Sequence, residues 1–177
     1  MTSEILVAVA SRHGATLEIG QAIAAGLERR GASALAAPTE EAPPVEGYDA
    51  VVIGSAVYYG HWLDSARGYV DAHREALAGL PVWLFSSGPL GPPEHLIPEG
   101  DCVDAASMIE ATGAIEHHTF GGKLARSGLR FRDKAVASAL HAPEGDFRDW
   151  HAIEAWAGQI AEETAKSAAR LTVRGRR

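Results

Sequence analysis

The chain has 177 residues, 46% of them hydrophobic and 22% charged, which suits one soluble domain with a sizeable core. Apolar residues recur from end to end, which excludes low-complexity disorder, and no apolar run approaches the ~18 residues of a membrane span. The formal net charge is −7, and the single Cys102 permits no internal disulfide, which suits a reducing cytoplasm.

The opening segment MTSEILVAVASRHG has no basic n-region, so no secretory leader is expected. Ile5 to Ala10 is a short continuous apolar run, the pattern of a strand buried on both faces. Ile19, Ile23 and Leu27 then repeat every four residues, a helical stripe that ends at Gly31. Ala32 to Ala37 reads as a weak strand stopped by Pro38, followed by a loop through Gly47. Asp49 to Gly54 is a second strong strand, and Leu63, Ala66, Val70 and Leu77 lie at helical spacing. Pro81 to Ser86 is a third strong strand, Cys102 to Gly113 a helix, and Ile115 to Phe120 the last strand. Trp150, Ile153, Ala157 and Ile160 mark the closing helix, with Asp149 placed to cap it.

Strands and helices alternating in this way predict a parallel sheet covered on both faces. For five strands the expected order is 2-1-3-4-5, with a ligand crevice at the carboxyl ends of the first and third. The expected fold class is therefore a three-layer α/β sandwich. A single domain over 1–170 is expected, with a basic tail at 171–177.

Three loops meet that crevice. Ser11, Arg12, His13, Gly14, Ala15 and Thr16 run from the first strand into a helix. Gly14 allows close backbone approach, the hydroxyls and helix N-terminus offer donors, and together they form an anion cradle. Neither GxGxxG nor GxxxxGK[ST] is present, so the dinucleotide and P-loop fingerprints are both missing. After the next strong strand come Ser55, Ala56, Val57, Tyr58, Tyr59, Gly60, His61 and Trp62, with three aromatic faces for a planar ring. The third loop, Ser86, Ser87, Gly88, Pro89, Leu90 and Gly91, offers backbone groups to the polar edge of such a ring. An anion site, a stacking site and a hydrogen-bonding edge describe a mononucleotide with a flat ring, and FMN is the expected cofactor. His13 and His61 lie in the expected flavin loops, where each is read either as a structural hydrogen-bonding group or as one that influences flavin charge or passes a proton. FMN is expected to carry the chemistry, with His61 the one catalytic candidate.

At these loops the sequence resembles the flavodoxin superfamily, whose phosphate loop ends G-x-T as Gly14-Ala15-Thr16 does. His13 departs from the hydroxyl residue that flavodoxins prefer there. The closer resemblance is to the branch typified by menaquinone-dependent protoporphyrinogen IX dehydrogenase. It is carried by Ile53-Gly54 through Tyr59-Gly60-His61 and by an extra segment before the last helix, Gly121 to Asp149. The resemblance implies the flavodoxin-like fold, FMN, a porphyrinogen-type donor and a quinone acceptor such as menaquinone. Rival readings are a flavodoxin-type electron carrier, an NAD(P)H-dependent quinone reductase of the same fold, and a flavin-free binding module.

Charge resolves by position. Residues 165–177 carry +5, leaving −12 on residues 1–164, and Lys123, Arg126, Arg130, Arg132 and Lys134 against Asp133 give 121–134 a local +4. The acidic body argues against nucleic acid. The two basic elements suit either solvent or a peripheral contact with the inner face of the cell membrane, or, for the segment, the carboxylates of a substrate. A homo-oligomer is left open.

Overall fold

A computed structural model describes residues 2–88, 102–124 and 144–174. In chain order the elements are β1 (Glu4–Ala10), α1 (Ala15–Glu28), β2 (Ser33–Pro38), β3 (Ala50–Tyr58), β4 (His61–Trp62), α2 (Asp64–Ala72) and α3 (Arg74–Leu77). There follow β5 (Val82–Ser87), α4 (Ala105–Thr112), β6 (Glu116–Phe120), β7 (Lys123–Leu124), β8 (Gly145–Asp146) and α5 (Trp150–Arg174). The main sheet runs β2-β1-β3-β5-β6, every neighbour parallel, with β4 folded back on β3 as a hairpin. Leaving that hairpin aside, the order is the expected 2-1-3-4-5.

Strand β1, flanked by β2 and β3, explains why the sheet needs cover on both sides. Ile5, Val7 and Val9 face α1 and α5, where they meet Ile19, Ile23, Leu27, Phe85 and Trp156. Leu6, Ala8 and Ala10 face the opposite layer, with Val51, Ile53, Val70, Leu77 and Met108. Side chains alternate across a strand, so an unbroken apolar run serves two cores at once.

Several boundaries differ from those read off the pattern. Pro38 belongs to β2, where it lies opposite Val9 at the end of an edge strand and the missing N–H costs little. The helix expected through Leu77 breaks at His73, whose Nδ1 approaches the Tyr69 carbonyl oxygen at 2.9 Å. The imidazole lies on the Tyr69 ring, centroids 4.3 Å apart, and its backbone leaves helical values. The helix expected from Cys102 starts only at Ala105, with Asp104 in the capping position. At the other end, α5 continues through Arg174, so the stretch expected as a tail from 171 is helical to that residue.

The extra segment leaves and returns side by side. Lys123 pairs with Asp146 and Leu124 with Gly145 in an antiparallel pair. The basic residues Arg126, Arg130, Arg132 and Lys134 lie outside the described residues, as do Pro89, Leu90 and Gly91. No helix among the described residues is long and apolar enough to cross a membrane.

Candidate functional site

The first loop turns because Ser11 Oγ accepts the Gly14 N–H at 3.1 Å and Gly14 takes a φ of 87°. That left-handed backbone suits glycine and costs other residues about 1–2 kcal/mol. No side chain caps α1, and the Glu18 N–H donates to Gly14 O at 2.9 Å. The N–H groups of the first turn therefore face the crevice edge together with the positive end of the helix dipole. Arg12 and His13 are exposed on this loop, and the Arg12 guanidinium lies 4.5 Å above the Tyr58 ring. Thr16 is buried, and Ala15 is half-buried.

The second loop is a tight hairpin. Val57 pairs with Trp62 and Tyr58 with His61, so Tyr59 and Gly60 form a two-residue turn. Both have positive φ, 54° and 80°, the signature of the turn that matches strand twist in a hairpin. Tyr59 is held at the tip with 71% of its surface exposed.

Trp62 is not the third aromatic face expected of this loop. It is 2% exposed, packed in the α2 layer, with its Nε1–H donated to Ser86 Oγ at 2.8 Å. Strand alternation is the cause, since β4 places Trp62 beside the inward Val57 and His61 beside the outward Tyr58. Ser55 and Ser86 are fully buried as well. The Ser55 hydroxyl donates to Ala56 O at 2.8 Å and accepts the Leu63 N–H at 3.0 Å. Ser86 Oγ also meets His117 Nε2 at 2.8 Å. These two hydroxyls fasten the loops to the sheet rather than line the crevice. Ala56 and Ser87 are buried, and Val57 and Gly88 are half-buried against each other.

Two residues that pattern reading passed over tie the site together. Asp104 Oδ2 accepts the Trp62 N–H at 2.8 Å and Arg67 Nη1 at 3.3 Å, while Oδ1 lies 3.2 Å from His61 Nδ1. Its only sequence signal is an acid standing just before an apolar helix. An open cleft of about 370 Å³ beside this group is lined by Arg12, Tyr58, His61, Trp62, Leu63, Asp64 and Arg67.

Arg148 is the second. Its side chain is 2% exposed, and it comes from the return of the extra segment. Nη1 donates to Ala15 O at 3.1 Å and Glu18 Oε2 at 2.7 Å, both in the first turn of α1. Nε and Nη2 grip Asp146 at 2.8 and 2.6 Å. The base of the segment is thereby fastened to the helix that follows the anion loop. Hydrogen bonding to Asp146 raises the Arg148 pKa, and the same bonds hold the Asp146 carboxyl below its ordinary range.

A depressed native carboxyl stabilises the fold above its unfolded value of about 4, and that contribution disappears as pH falls through the native value. Asp146→Asn will therefore be less stable than wild type at neutral pH, and the gap will close in acid. Urea midpoints across the acid range measure it; a gap independent of pH would show that the ion pair contributes nothing.

Parallel order, a switch point between β1 and β3, and an anion loop beside an aromatic hairpin define a flavodoxin-like ligand-binding domain. The family model described as "Flavodoxin domain" matches residues 6–150, and the chain belongs to that family. Protoporphyrinogen IX dehydrogenase [quinone] of Escherichia coli is 25% identical over 174 residues, 91% of this chain and 96% of that protein. A flavodoxin from the domain Archaea is 15% identical with a TM-score of 0.61, covering 92% of this chain and 99% of its own. Rubredoxin oxygen:oxidoreductase from Desulfovibrio gigas has a TM-score of 0.65 at 12% identity, over 95% of this chain. The match spans only 37% of that larger protein. FMN is the cofactor that family membership supports, and the uncapped α1 terminus behind a glycine turn fits its phosphate.

Proposed function

We propose that the chain is an FMN-dependent oxidoreductase that takes two electrons from a porphyrinogen-type donor and delivers them to a quinone. The observation that carries this reading is the relative's match along 91% of this chain and 96% of its own, a span that takes in the extra segment as well as the flavodoxin core. When bound, FMN supplies the electron-accepting ring.

The protein supplies the rest. The N–H groups at the start of α1 bind the phosphate, and Ser11 keeps the loop in the receiving conformation. Tyr58 and Tyr59 offer ring faces at the hairpin, and Gly88 lets the third loop approach Val57 closely. Arg148 holds the segment base against the first turn of α1, beside the cradle. The basic residues of 121–134 provide cations for the carboxylates of a porphyrin-like donor or for an anionic membrane where quinones reside.

Purified protein given FMN is expected to take it up and show a protein-bound flavin spectrum. Anaerobic protoporphyrinogen should then bleach the colour, and a menaquinone analogue should restore it. Failure to retain FMN would sink the cofactor assignment, whereas retention without bleaching would leave the electron-carrier reading in its place. Rapid bleaching by NAD(P)H would instead support the quinone-reductase alternative.

A further inference from the structure

We propose that His61 is a catalytic residue that accepts the proton released when the donor is oxidised, and that Asp104 is the positioning residue that prepares it. The inference deepens the oxidoreductase reading and rests on it.

The geometry is that of an oriented base. Asp104 has 12% of its side chain exposed and His61 49%, so the anchor is inside and the imidazole stands at the surface. Oδ2 already holds the Trp62 N–H and Arg67, which leaves Oδ1 for His61 Nδ1 at 3.2 Å. A carboxylate only accepts, so the imidazole carries its proton on Nδ1 when neutral. Nε2 then has a lone pair, and the ring borders the cleft beside Arg12 and Tyr58.

Both partners are fixed at the backbone. Asp104 sits at the start of α4, where its carbonyl accepts the Met108 N–H at 2.9 Å. His61 follows the positive-φ pair Tyr59 and Gly60, and the Val103 N–H reaches Gly60 O at 2.8 Å. That bond ties the hairpin tip to the residue preceding Asp104. The histidine is the half of the pair that borders the cleft. The charged and titratable neighbours in that cleft are Arg12, Tyr58, Asp64 and Arg67.

The donor class follows from the chemistry. Two-electron oxidation of a C–H/N–H unit breaks the C–H bond with its electron pair, and the hydride passes to oxidised flavin. The N–H bond breaks as well, its pair forms the new double bond to nitrogen, and its proton goes to His61 Nε2 and then to water. A donor that must lose such a proton needs a base, and one carried on a rigid hairpin suits that task.

The test uses FMN-loaded protein with protoporphyrinogen as the donor, under anaerobic conditions. His61→Gln should slow flavin bleaching by about 10²–10⁴-fold, leave FMN affinity unchanged, and recover part of the rate with added imidazole. His151→Gln, on α5, should bleach at the wild-type rate. Nitrogen NMR of histidine-labelled protein should show His61 protonated on Nδ1, and Asp104→Asn should mix the two tautomers while retaining an acceptor for Trp62. Bleaching by His61→Gln within about two-fold of wild type, or a wild-type His61 protonated on Nε2, would overturn the proposal. Wild-type protein that binds FMN without oxidising the donor would instead overturn the underlying reading, and this proposal with it.

Discussion

Phe85→Ala will cost the fold about 3–5 kcal/mol, and Gly54→Ala will cost about 1–3 kcal/mol for the opposite reason. Phe85 is fully buried on β5, edge-on to Phe120 and Trp156 with centroids 5.9 and 6.2 Å away. Its ring lies across Gly54 on the neighbouring strand, where an added Cβ would come within 2.1 Å of the ring atoms. Removing the ring opens a cavity above Gly54; adding a methyl group there drives the ring from its place. The two changes are therefore coupled through one volume. Once the ring is gone, alanine at 54 fills part of the space it left. Gly54→Ala should destabilise wild type yet stabilise the Phe85→Ala background, a reversal of sign that chemical denaturation can read as a double-mutant cycle. Simple additivity would show that the ring and the glycine do not share that space.

This pairing also marks what pattern reading reaches and what it does not. The run Ile5–Ala10 announced a two-sided strand, and the Ile19, Ile23, Leu27 stripe announced the helix behind the cradle, because burial periodicity survives in sequence. Asp149 was legible as a cap, and its Oδ1 does accept the Ala152 N–H at 3.0 Å. Trp62 was misplaced because an aromatic in a loop carries no sign of which way it turns. Reading Tyr59-Gly60 as a two-residue turn would have set the alternation and sent Trp62 inward with Val57. Ser55 and Ser86 were legible as loop hydroxyls but not as internal fasteners, since their partners come from Leu63, Trp62 and His117. The Asp104–His61 pair lies 43 residues apart and Arg148–Glu18 lies 130 apart, so neither follows from spacing. Such pairs come into view only once the topology has brought their strand ends together.

Gly121→Ala should be the most damaging single methyl group at the crevice edge. A Cβ there would lie 2.1 Å from the Phe147 carbonyl oxygen and 2.9 Å from its carbon. These are backbone atoms, held by the bond from Phe147 N–H to Gly122 O at 2.9 Å, so no rotamer change relieves the contact. The neighbouring approaches are tight as well, though less severe. A Cβ on Gly122 would meet Gly88 Cα at 3.1 Å, and one on Gly88 would meet Val57 O at 3.0 Å. Backbones thus stack from the aromatic hairpin through the end of β5 to the base of the extra segment. Pushing Phe147 outward also draws Arg148 away from Ala15 and Glu18, loosening the first turn of α1, the turn we propose receives the FMN phosphate. Gly121→Ala is expected to lose about 3 kcal/mol, near the upper end for overpacking, which lowers Tm by roughly 6–12 °C for a domain of this size. FMN affinity should fall with it. Gly68→Ala on α2, where an added Cβ meets nothing within 4 Å, should instead gain about 0.5–1 kcal/mol and leave FMN binding alone. Loss of stability with FMN affinity intact would separate the segment base from the cradle and break the link drawn through Arg148.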